Sequence, residues 1–227
     1  MRKYITVAKV NLRKTTWIAY LVSAICVLAM IVDYIIDRAM ENTGDSTVSM
    51  YCMLYLICIL APVFIASVNY TKMMHIGVKK KTYFGGCIIN YVFFAAAIAL
   101  LGVFGHYVVD AEIGKHESVY GLISVFGWDT SVVGAFFSQF SFLLLTEAVI
   151  HTLVFMQTKW YGWAADLLIV AIISVFTPIP VLREAEIFFF RFTIFEKPAI
   201  IHIAVCLVTA ALVFATNLFY LKKRDNG

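Results

Sequence analysis

The chain has 227 residues, of which 62% are hydrophobic and only 14% charged, with a formal net charge of +4. Against roughly 25% charged residues in an ordinary soluble domain, that composition excludes a soluble globular protein and points to an all-α polytopic membrane protein in the lipid bilayer. The excess positive charge sits in short clusters beside apolar runs, as topology signals do, so no nucleic acid is expected as a partner.

In chain order, residues 1–16 carry Arg2, Lys3, Lys9, Arg13 and Lys14, with Tyr4, Ile5, Ala8 and Leu12 at helical spacing. That pattern predicts an amphipathic helix lying in the inner membrane interface. The apolar run 17–36 is too long for a cleavable signal core and lacks a small-residue cleavage site, so it reads as a retained first span. A polar loop with Glu41 and Asp45 follows on the outside, and 50–68 forms the second span, matching a core of roughly 30 Å at 1.5 Å per residue. Residues 70–84 bring Lys72, Lys79, Lys80 and Lys81 together without one acid, which places this loop in the cytoplasm.

A third span is predicted over 85–109, followed by an outer segment holding Asp110, Glu112, Glu117 and Asp129 against a single Lys115. The fourth span, 132–156, turns tightly past Lys159 into the fifth, 161–177. Pro178 and Pro180 end that helix, since proline lacks an amide hydrogen and clashes with the preceding turn. The segment 178–198 mixes Arg183, Glu184, Arg191 and Lys197 with Phe188, Phe189, Phe190, Phe192 and Phe195. It reads as short re-entrant or interfacial helices at the outer surface, before a last span at 199–221. In this arrangement of six transmembrane helices with both termini cytoplasmic, 13 of the 18 Lys and Arg residues lie inside and ten of the 14 acids outside, in a plasma membrane.

No GxxxxGK[ST], HExxH, GxSxG or GxGxxG pattern is present, so no bound nucleotide, cofactor or catalytic residue is expected on this chain. The five cysteines have no CxxC spacing. Asp33, His106 and His202 lack a ligand spacing, and no metal site is assigned. Asn69-Tyr70-Thr71 matches a glycosylation sequon but falls on the cytoplasmic side. Trp17, Tyr20, Trp160, Tyr161 and Trp163 form an inner aromatic belt.

Three polar residues lie inside the predicted spans. Glu147 is deep in the fourth span, and His151, four residues later, shares its helix face. Asp166 lies about as far beyond the tight turn as His151 lies before it, so an antiparallel hairpin predicts a Glu147, His151 and Asp166 cluster. Such a cluster serves either as interhelical glue or as a polar lining, proton site or latch in a transport path.

The run Gly77-Val78-Lys79-Lys80-Lys81-Thr82-Tyr83-Phe84, set in this topology, resembles the loop after the second span in permease subunits of bacterial ABC transporters of the type-two exporter family. Met156 to Gly162 is similar to the basic turn between spans four and five of such permeases. The resemblance implies a transport subunit and not an enzyme, pairing with a second permease copy or paralogue. It implies a separate ATP-binding cassette subunit, carrying the ATP and Mg, that docks on Lys72, Met73, His75, Ile76, Gly77, Val78, Lys79, Lys80 and Lys81. The cargo implied is amphipathic or hydrophobic: a peptide, an antibiotic or a lipid. Two other classes stay open, a small immunity or sensor membrane protein that binds a peptide, and an intramembrane hydrolase using Glu147 and His151.

Overall fold

The computed structural model describes residues 2–40, 46–49, 51–110, 118–128, 131–157, 160–176, 178–191 and 199–223. The expected outer acids Glu41, Asp45, Glu112, Glu117 and Asp129, the turn residue Lys159, and residues 192–198 of the aromatic segment lie outside them. So does the side chain of Asp33.

The first helix, α1, runs unbroken over Arg2–Met40. The expected step from an interfacial helix to a span at residue 16 is therefore not a break in the backbone. Val7, Ala8, Asn11, Thr15, Ile18 and Val22 are all buried and recur every three to four residues, so one stripe of α1 is a packing face. The stripe is partly polar. Thr15 donates to the Asn11 carbonyl at 2.9 Å, which satisfies its hydroxyl within the helix itself.

Helix α2 covers Tyr51–Phe64 with Pro62 inside it, passes through a π-helical turn at Ile65–Asn69, and continues as α3, Tyr70–His75. Pro62 has no amide hydrogen for the carbonyl four residues back, and the wider turn that follows is one way a helix absorbs such a defect. The next helix, α4, spans Lys80–Phe104 and also ends in a π turn, Gly105–Asp110. Beyond it come the one-turn helix α5, Leu122–Val125, the long α6, Val132–Met156, and α7, Trp160–Phe176. Ser131 caps α6, accepting from the Gly134 amide at 2.9 Å. Helix α8, Pro180–Phe190, begins on a proline at its first turn, and α9 spans Ala199–Lys223.

Among the described residues, five helical stretches are long and apolar enough to cross a membrane: Lys3–Ala29, Tyr51–His75, Lys80–Asp110, Val132–Met156 and Ala199–Leu218. The chain is a multi-pass helical membrane protein. The one expected span outside these five is the fifth, α7, whose 17 described residues extend about 25 Å at 1.5 Å each, short of a core of roughly 30 Å. It is followed by a single described helix, α8, in the segment read as one or two.

Helix α6 is central and packs against α2, α4, α7 and α9, while α1 lies along α2 and α4. Cys58, Ala61, Cys87, Ala95, Ala99 and Ala148 are fully buried, small residues that let these backbones approach closely. A two-stranded parallel pairing of β1, Ser46–Val48, with β2, Ser118–Tyr120, was not expected in an all-α chain. It joins the segments on either side of the α2 to α4 hairpin.

At the other end of that hairpin the chain reverses in four residues, 76–79. The Gly77 amide donates to the Met74 carbonyl at 3.0 Å and the Val78 amide to that of Met73 at 3.1 Å, with Gly77 at φ +80°. Both bonds and the left-handed residue make a Schellman stop, in which orphan carbonyls of α3 are satisfied. Val78 and Met73 pack in the core as the accompanying apolar contact. Space is open around Gly77, so an alanine there meets only backbone strain. Gly77→Ala should lower stability by about 1–2 kcal/mol, read as a shift in the SDS-unfolding midpoint of the purified protein; an unchanged midpoint would contradict the left-handed cap.

Candidate functional site

Two places bear on function: the turn at 76–79 with its flanking helix ends, and the buried polar side chains of α6. We refer to the end of the bundle carrying residues 76–79 as the loop end.

At the loop end, Lys72, His75, Ile76, Gly77, Lys79 and Lys81 are exposed. Ile76 is 74% exposed, an apolar side chain at the tip of a basic turn. The other members of the expected docking set sit differently. Met73 is buried because it falls four residues after buried Asn69, on the inward face of the helix, and so presents nothing to a partner. Val78 is half-buried against the core, and Lys80 is half-buried at the mouth of a cavity. The lysine run is therefore split, with Lys79 and Lys81 outward and Lys80 turned toward the bundle.

That cavity, of ≈ 10 Å³, is lined by Tyr70, Lys80, Tyr83, Phe84, His151, Phe155 and Asn217. It is large enough for about one water. His151 sits in an aromatic sleeve, with the rings of Tyr91, Phe84 and Phe155 centred 5.4, 5.7 and 6.0 Å away. Its Nδ1 pairs with the Tyr91 hydroxyl at 2.7 Å. Asn217 of α9 donates to the Thr152 hydroxyl at 2.6 Å, tying α9 to α6, while its Oδ1 has no donor among the described residues. On the opposite wall the Tyr83 hydroxyl donates to the Ile65 carbonyl at 2.6 Å, on the first residue of the π turn.

One turn deeper, Glu147 is fully buried, and neither carboxyl oxygen has a nitrogen or oxygen donor among the described residues. The thiol of Cys58 on α2 faces it without a hydrogen bond to either oxygen. Two further turns along α6, Gln139 donates to the Tyr55 hydroxyl. Past these a second cavity of ≈ 10 Å³ opens at the far end, lined among others by Ser49, Cys52, Tyr55, His106 and Asp110.

No protein-family model matches the sequence, and no curated protein or solved structure is significantly similar to it. Its reading rests on its own geometry.

Glu147 and His151 lie on one buried face of α6, as their spacing implies. Asp166 does not join them. It is only half-buried on α7 and accepts from Gln157 Nε2 at 3.0 Å, because Gln157 stands at the C-terminal end of α6, nearer the turn than His151. The partners that the sequence did not announce are Tyr91, Cys58 and Asn217, each on a different helix. Of these, Asn217 had a signal, a carboxamide inside an otherwise apolar span; a Tyr and a Cys in apolar runs carry none. His202 pairs with the Ser138 carbonyl at 3.3 Å and stacks on Trp128 at 5.0 Å. Among the described residues no three His, Cys, Asp or Glu side chains converge on one point.

Proposed function

We propose that this chain is the membrane-spanning subunit of an ABC exporter in a plasma membrane. The loop end faces the cytoplasm, and Lys72, His75, Ile76, Lys79 and Lys81 receive a separate ATP-hydrolysing subunit. A second permease copy or paralogue completes the assembly, and the cargo is an amphipathic or hydrophobic molecule such as a peptide, antibiotic or lipid.

The observation that carries this reading is the build of the 76–79 turn. An apolar tip ringed by exposed cations is presented on a four-residue turn capped at both bonds of its Schellman stop. Such a turn adds little slack of its own, so a push on it is passed to the helices on either side, the rigid-body mode of many transport switches. The charge count and the likeness of residues 77–84 to exporter permeases support the same reading.

The test is co-purification of the tagged chain with an ATP-binding subunit encoded beside it. The Lys72→Ala, Lys79→Ala, Lys81→Ala triple variant, altered only at exposed positions, should reduce recovery of that subunit at least tenfold while the chain itself still enters the membrane. Equal recovery with the triple variant, or no ATP-binding subunit in the wild-type preparation, would refute the assignment.

A further inference from the structure

We propose that Glu147 is a proton-binding site at the centre of the bundle, in exchange with water at the loop end through the cavity beside His151. The inference does not rest on the exporter reading.

The site is defined by what surrounds the carboxyl group. Cys58 faces it from α2, and Tyr91 of α4 is within electrostatic reach. His151 lies one turn away on α6 itself. Helix α9 places His202 and Cys206 toward the Ser138 level and Asn217 toward Thr152. From α7, Asp166 is held by Gln157. No cation is among these neighbours. Among the described residues no amide, hydroxyl or cationic group pairs with the Glu147 oxygens, and a fully buried carboxylate ion without such partners is an arrangement proteins avoid. Taking up one proton removes the charge: the carboxylate becomes the neutral acid, one O–H bond forms, and no electrons or other atoms move.

The proton has a route. The cavity at the loop end is large enough for about one water, and Asn217 Oδ1, unpartnered among the described residues and on a residue only 1% exposed, lines it. His151 forms its wall, and Nδ1 of that ring is bonded to the Tyr91 hydroxyl. Imidazole accepts a proton at one nitrogen and releases one from the other, and water and phenol do both at their single oxygen; the last transfer takes a side-chain movement that brings the Glu147 oxygens, unpartnered among the described residues, to one of these groups.

The experiment is infrared spectroscopy of the purified full-length chain at neutral pH. Wild type should show a protonated-carboxyl C=O band that shifts when glutamate alone is ¹³C-labelled and that disappears in Glu147→Gln, an isosteric mimic of the neutral acid. Tyr91→Phe should keep the band but slow its hydrogen–deuterium exchange at least tenfold. A second measurement follows the SDS-unfolding equilibrium between about pH 5 and pH 8, where a glutamate in the unfolded chain is ionised. The native state then binds one proton that the unfolded state does not. The wild-type folded-to-unfolded ratio should therefore fall by up to tenfold per pH unit relative to Glu147→Gln as pH rises. Absence of a glutamate-dependent C=O band in wild type, its persistence in Glu147→Gln, or parallel pH profiles for the two proteins would overturn the proposal.

Discussion

Replacing Gly86 with valine should force the first half of α1 away from α4 and cause a large loss of stability. A Cβ built on Gly86 would stand 2.6 Å from Val7 Cγ1, 2.9 Å from Val7 Cβ and 3.2 Å from the Tyr4 carbonyl oxygen. Two of those contacts are to atoms at or near the α1 backbone, which no rotamer change moves. Overpacking a fitted core costs about 1–3 kcal/mol and sometimes more, so Gly86→Ala should lie in that range and Gly86→Val above it. Because the two closest contacts are with Val7, Val7→Ala should recover part of the loss in the Gly86→Ala background, a coupling that a double-mutant cycle measures. Additive effects of the two substitutions would mean that Val7 and Gly86 do not meet. The same contact explains why the start of α1 packs on the bundle by one stripe, with Tyr4 and Val7 against Gly85 and Gly86 of α4.

The second large effect is expected at Tyr91. Its ring is fully buried, lies parallel to Phe214 of α9 with centroids 6.1 Å apart, and carries the hydroxyl paired with His151. Tyr91→Ala removes the ring that joins α4, α6 and α9 and should cost about 3–5 kcal/mol, as aromatic-to-alanine changes in cores do. Tyr91→Phe keeps the ring and leaves the His151 Nδ1 without its partner, for about 1–3 kcal/mol. Reversible unfolding in mixed SDS micelles gives both numbers on one scale. If the phenylalanine variant matched wild type, the hydrogen bond would have no part in holding the bundle. If it matched the alanine variant, the ring packing would have none.

Much of this architecture was legible in the residues, and the failures have definite causes. Glu147 and His151 could be placed on one face because four residues make one helical turn whatever the rest of the chain does. Asp166 was misplaced because pairing across a hairpin depends on how far each helix continues into the turn, and Gln157 at the C-terminal end of α6 intercepts its carboxylate. The periodicity at the start of α1 was real, but a periodic stripe does not say whether lipid or protein covers it; buried Asn11 and Thr15 show that here it is protein. Charge drew attention to Lys72–Lys81 as a unit, whereas helix geometry buries Met73 and divides Lys80 from Lys79 and Lys81. The strand pair could not have been foreseen, since Ser46 and Ser118 are partners 72 positions apart and three-residue strands leave no local signature.

That strand pair gives the hairpin of α2, α3 and α4 an unusual mechanical character. Its two legs are joined by a four-residue turn at one end and by hydrogen-bonded backbone at the other. A ring closed at both ends resists scissoring, because spreading the legs must break either the Schellman bonds or the ladder. What remains free is tilting of the closed ring as one body against α6 and α9. A load on the four-residue turn would then be shared by both legs of the ring.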